Sequence, residues 1–236
     1  MKLQKLFVAA AGLVLAGASA VAQSKPTVAV LYFTNSVLGV KANEDYAPLS
    51  KGMADMLIQE LSVNTGIRVT ERDQLQRVLE EQKLSTDGKT DPATAVKVGK
   101  LLGAHHMIAG TFITDLKGTT MKLTVKVFNT ETSEIEFTTT GSDKPDNLLV
   151  LINKVAGQIN KGLKLPDIPK QVSEMQEKKA EKIPYQAIML YSRALNLKDS
   201  GKKSEAFELF SQTAKQFPQY DAPQKELDKM KKQAGN

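Results

Sequence analysis

The chain has 236 residues, 41% of them apolar and 25% charged, and it contains no cysteine and no tryptophan. That length and composition allow one or two domains with a real core. The lack of cysteine excludes disulfides, thiolate nucleophiles and cysteine-ligated zinc or iron–sulfur centres.

The first 22 residues read as a secretory signal peptide. Lys2 and Lys5 give the positive start, Leu6 to Ala18 the apolar stretch, and Ser19-Ala20-Val21-Ala22 the small residues of a cleavage site before Gln23. The apolar run falls short of the roughly 20 residues a spanning helix needs. No cysteine follows it to carry a lipid, so the expected product is an exported, periplasmic chain that is not a lipoprotein. The formal charge is +6, and removing Lys2 and Lys5, with no acid among residues 1–22, leaves +4. So mild an excess suits a solvated surface better than a nucleic-acid site.

Thr27 to Phe33 is a continuous β-branched and aromatic run, the pattern of a central strand buried on both faces. Thr34 to Tyr46 is polar, carries Gly39 and reads as a long loop. Pro48 to Leu61 is a helix with Leu49, Met53, Leu57 and Leu61 on one face. Ile67 to Thr70 is a short strand, and Glu71 to Leu84 a helix with Leu75, Val78 and Leu79 inward. Ser85 to Lys89 is a polar loop.

Thr90 to Gly110 is a helix that runs into a strand. Asp91 is the candidate N-cap, Pro92 sits at the first helical position, Ala95, Val98, Leu101 and Leu102 form the buried face, and Gly103 is placed for a left-handed C-cap. Three strands follow at about 105–115, 120–128 and 134–140, joined by turns at Lys117-Gly118-Thr119 and Asn129 to Ser133. Asp146 to Leu163 is a long amphipathic helix. The order β-α-β-α-α-β-β-β-α predicts an α/β domain with a mixed sheet over residues 23–164. Pro166 and Pro169 open a linker and solvated helix at 165–183. Residues 184–236 form a small all-α helical hairpin, broken at Asp199 to Lys202, with a charged last helix.

Reactive chemistry is sparse. His105 and His106 are the only histidines. As neighbours on a strand they point to opposite faces, which suits one core-edge and one surface residue and not a metal pair. Arg72 follows Glu71 at a strand-to-helix junction, where it can pin a loop through a charge-assisted hydrogen bond. No phosphate-binding glycine loop, nucleophile elbow or zinc motif occurs. The expectation is a protein that is not an enzyme and takes no cofactor or metal.

Several stretches in order resemble the CsgG/HfaB family of envelope proteins, typified by the curli secretion channel. They are V-A-V-L-Y-F, M-A-D-M-L-I-Q-E-L, V-T-E-R-D-Q-L-Q-R-V-L-E-E-Q, V-G-K-L-L-G-A-H-H-M-I-A-G-T-F and L-T-V-K-V-F-N-T-E-T-S-E-I-E-F, spanning Thr27 to Leu163. Glu71-Arg72 and Leu102-Gly103-Ala104 before Gly110 are the most telling pieces. The resemblance implies an α/β domain with a mixed sheet and a role in exporting or assembling envelope components. Channel members carry a lipidated cysteine and two long membrane hairpins. This chain has no cysteine, and about eight residues after Phe112 and about six after Thr140 leave no room for spanning strands of roughly 9–11 residues.

Ala194, Gly201, Ala206, Phe210 and Pro218 resemble a tetratricopeptide repeat in spacing, with a plain docked hairpin as the alternative. The reading is a non-enzymatic assembly or adaptor protein of the envelope, tied to curli, adhesin or other outer-membrane components. The alternatives are a secretion-pore subunit or a regulator of a cell-wall synthase. The expected partners are other envelope proteins or a second copy of the chain, with outer-membrane association open, and neither nucleic acid nor integral membrane insertion expected. The candidate partner-binding residues are Asn43 and Tyr46 in the long loop and Tyr191 and Leu195 in the hairpin.

Overall fold

The computed structural model describes residues 25–84, 91–115 and 117–234. The expected signal peptide and the expected loop from Ser85 to Lys89 lie outside them. The expected α/β order is present. Strand β1 (Thr27–Val30) leads to β2 (Thr34–Asn35), α1 (Val40–Tyr46), α2 (Leu49–Leu61), β3 (Arg68–Val69), α3 (Arg72–Glu81) and α4 (Pro92–Leu101). Then come β4 (His106–Thr114), β5 (Met121–Asn129), β6 (Ile135–Asp143), a short 3-10 turn (Pro145–Asn147) and α5 (Leu148–Gly162). Helices α6 (Lys170–Ala180), α7 (Tyr185–Asp199), α8 (Lys203–Gln216) and α9 (Ala222–Ala234) complete the chain.

The sheet runs β3-β1-β4-β5-β6, with β2 also paired to β4. The pairs of β1 with β3 and β4, and of β2 with β4, are parallel; β4-β5-β6 is the antiparallel meander. Every residue of β1 is buried, as a strand covered on both faces requires. Along β4, Met107 turns one way and Ile108 the other. The face of Ile108 continues through Val127 to Phe137 and lies under α2 and α5. The opposite face meets α4, whose Gly99 lies against Met107 and Thr130. Helix α3 touches α2, α4 and β1, and α7 packs on the outer side of α2 with α8 and α9 beyond it.

The α4 segment shows how local chemistry sets these boundaries. Asp91 accepts a hydrogen bond from the Thr94 amide at 2.9 Å, and Pro92 occupies the first turn. At the other end Gly103 has φ +63°. The Gly103 N–H donates to Lys100 O at 3.1 Å and the Ala104 N–H to Gly99 O at 2.9 Å, which together make a Schellman ending. Gly110 serves packing. A Cβ there would lie 2.3 Å from the Phe33 ring, so only glycine lets that ring rest on β4.

The segment Thr34 to Tyr46 departs from the expected loop, for it holds β2 and α1. Its order comes from side-chain amides. Asn35 Oδ1 accepts from the Val37 N–H at 3.0 Å, Asn35 Nδ2 donates to Asn43 O at 2.8 Å, and Asn43 Nδ2 donates to Val37 O at 3.2 Å. Hydrogen bonds of this kind fold a polar stretch without any hydrophobic period. Strand β6 also runs on to Asp143, past the expected end at Thr140.

Candidate functional site

The most unusual chemistry lies where α7 and α9 meet α2 and α3. Arg72 begins α3 with its side chain 3% exposed. Its Nη1 donates to both carboxylate oxygens of Asp199, at 2.8 and 2.7 Å, across 127 residues of sequence. Nη2 donates to Asp73 at 3.0 Å, while Nε lies 3.7 Å from Asp55 Oδ1, too far for a hydrogen bond. Asp199, with its side chain 4% exposed, also meets Lys51 at 2.8 Å. Lys198 Nζ donates to Glu226 at 2.7 Å and to Asp73 at 3.2 Å, and Lys229 lies 3.1 Å from Glu226. Four cations (Lys51, Arg72, Lys198 and Lys229) thus face four acids (Asp55, Asp73, Asp199 and Glu226).

Burial opposes the Arg72 charge, but Asp199, Tyr32 and Asp55 outweigh it and hold the guanidinium firmly protonated. Asp73 is pulled down, since Lys198 and Arg72 overcome its burial. Asp55 is pushed up by burial, despite Arg72 and hydrogen bonds from Tyr191 and Gln59. Burial also raises Tyr32 and Tyr191. Arg72 was read from the sequence as a pin for a neighbouring loop. It pins the end of α7, 127 residues away in sequence.

Beside this junction is a groove of about 410 Å³ between the start of α8 and the end of α9. Phe207 and Met230 supply its apolar surface, and Lys198, Lys203 and Lys231 stand around it, with Glu208 the one acid. Lys198 roots the groove in the charged junction. Phe207 is among the few large apolar side chains left exposed. In the sequence the site shows only as Phe207 on the polar side of α8, one turn after Lys203.

The four residues expected to face a partner are scattered. Asn43 is spent on the amide brace within its own segment. Tyr46 is partly buried, with its hydroxyl oxygen 3.1 Å from where a Cβ on Gly118 would lie. Tyr191 and Leu195 are 1% and 0% exposed. They form core: the Tyr191 hydroxyl donates to Asp55, and its ring lies 5.6 Å from Phe210 and 5.3 Å from Tyr220. The helical period identified the apolar face of α7 correctly, but α2 occupies that face, so neither residue offers surface to a partner. His105 Nδ1 accepts from the Thr27 N–H at 3.0 Å, and His106 Nδ1 lies 2.6 Å from Glu136. No group of three metal-ligating side chains occurs among the described residues.

Residues 10–119 match the family described as curli production assembly/transport component CsgG. The chain carries a CsgG-type domain. The match ends in the turn between β4 and β5, so β5, β6, α5 and the C-terminal helices lie beyond it. Among solved structures, the chain is similar to the LpoB C-terminal domain from Escherichia coli at 17% identity, over 51% of this chain and 83% of that one, with a TM-score of 0.36. It is also similar to lipoprotein GNA1162 from Neisseria meningitidis, at 15% identity over 58% and 99% of the two chains with a TM-score of 0.39. The PelC dodecamer from Paraburkholderia phytofirmans aligns at 11% identity over 60% and 89%, with a TM-score of 0.37. No curated protein matches the chain.

Proposed function

We propose that this is an exported, non-enzymatic assembly or adaptor protein of the bacterial cell envelope, acting through protein–protein contacts. The observation that carries the reading is the CsgG-type domain over residues 10–119. The leader-like N-terminus supports export. The described site chemistry supports a binding role. Its charges are paired with one another in the junction, and its histidines are tied to a backbone amide and a surface carboxylate.

A curli-type pore subunit fits less well. The β4–β5 connection spans residues 115–120 and β6 reaches its following turn at Pro145, so neither link holds strands of the roughly 9–11 residues that cross a bilayer. No helix among the described residues is long and apolar enough to cross a membrane. The chain would then serve secretion or assembly from the periplasmic side, with other envelope proteins or a second copy as partners.

The test is affinity purification of the tagged chain from cross-linked envelopes, with sizing of the purified protein. The reading expects a reproducible cross-linked envelope protein or a defined self-assembly. A strictly monomeric chain with no cross-linked partner would overturn it.

A further inference from the structure

We propose that the groove between α8 and α9 binds an acidic amphipathic segment of a partner protein, its apolar residues seated on Phe207 and Met230 and its carboxylates met by Lys203 and Lys231. The inference rests on the adaptor reading and names the chemistry of the partner.

Three observations point to this occupant. The groove has an apolar floor in an otherwise polar helical surface, and a floor left open at the end of a stacked helical array is where a further helix adds buried area. Its rim carries three lysines against one acid. Lys198 is already held by Asp73 and Glu226, whereas Lys203 and Lys231 are exposed and make no ion pair among the described residues. An acidic ligand meets two free cations there, and a basic one meets repulsion.

The shape favours a helical segment over a membrane surface. A concave site of this volume accepts two or three side chains, and a flat lipid headgroup layer does not reach its floor. The chain's own N-terminal residues are a poor occupant, since Lys25 and, in the uncleaved chain, Lys2 and Lys5 are all positive.

The mature full-length chain is titrated, by fluorescence anisotropy, with a labelled designed helix bearing leucines on one face and glutamates on the other. The same helix with lysines for glutamates is the control. Saturable binding of the acidic helix is expected, with the basic helix weaker by about tenfold or more. The double variant Lys203→Glu/Lys231→Glu should lose about tenfold, and Phe207→Ser a similar factor, with circular dichroism unchanged. Equal affinity for both helices, or binding untouched by these variants, would overturn the proposal. So would displacement of the helix by anionic phosphatidylglycerol vesicles, or a wild-type self-assembly that Lys203→Glu/Lys231→Glu abolishes. Envelope cross-links that persist while the acidic helix fails to bind would refute the groove and leave the adaptor reading standing. Helix binding without any envelope partner would do the reverse.

Discussion

The sheet layer and the charged junction are held together by opposite means. Between the sheet and the elements packed on it the fit is steric. Gly110 admits the Phe33 ring, Gly99 admits Met107 and Thr130, and Gly141 admits Leu151. Helices α2 and α7 also pack closely, with Gly52 against Ser192, but the charged junction that joins α2, α3, α7 and α9 is electrostatic, with Arg72 and Asp199 almost wholly removed from water. The first kind of contact tolerates loss of volume poorly and excess volume worse. The second adds little net energy when intact and costs heavily when one partner goes. It ties the end of α7 and the start of α9 to α3, on the side of the molecule where the α8–α9 groove opens.

Variants that act on one region and not the other sharpen the contrast. The largest effect is expected for Arg72→Met. It leaves Asp199 with only Lys51 and takes from Asp55 the cation nearest it, and should cost about 3–5 kcal/mol in urea unfolding. Gly110→Ala should cost about 1–3 kcal/mol by pushing the Phe33 ring off β4, measured the same way, with the charged junction intact. A cap variant, Asp91→Ala, should lower the urea midpoint by less than Gly110→Ala does, with an unchanged slope.

The smallest effect belongs to Asp55→Asn, which keeps an acceptor for Tyr191 and removes a charge that burial disfavours. Its sign depends on pH. An acid with a raised folded pKa contributes stability below its unfolded pKa, near 4, and loses it as pH rises through the folded value. The variant should therefore gain on the wild type between pH 4 and 8. Asp73 works the other way. Its pKa is depressed, so its contribution is present above about pH 4 and lost as pH falls through the folded value. Denaturation midpoints from pH 4 to 8 would show the Asp55 trend and midpoints below pH 4 the Asp73 trend, and a pH-independent gap between Asp55→Asn and wild type would contradict the assignment.

Much of the sheet layer was legible because its signals are local. The unbroken apolar run of β1, the Asp91-Pro92 start, the Gly103 stop and the alternation of β5 each declare themselves within a few residues. The family resemblance, carried by the order of those pieces, agrees with the match over residues 10–119. The candidate site was less legible, for two physical reasons. A helical period gives the apolar face of α7 but not what covers it, and α2 covers Tyr191 and Leu195. The Arg72–Asp199 pair joins residues 127 apart, and no local pattern links an arginine at a helix start to an aspartate at a distant helix end. The segment from Thr34 to Tyr46 was misread because amides, and not apolar residues, hold it.

The account depends on the junction coupling the two regions into one unit. A double-mutant cycle on Arg72→Met and Asp199→Leu, followed by urea unfolding of the mature chain, tests this directly. The expected result is a single cooperative transition in all four proteins and a coupling of about 2 kcal/mol or more, with the double variant more stable than Arg72→Met alone. Additive losses, or a C-terminal transition separate from that of the sheet layer in the wild type, would contradict it.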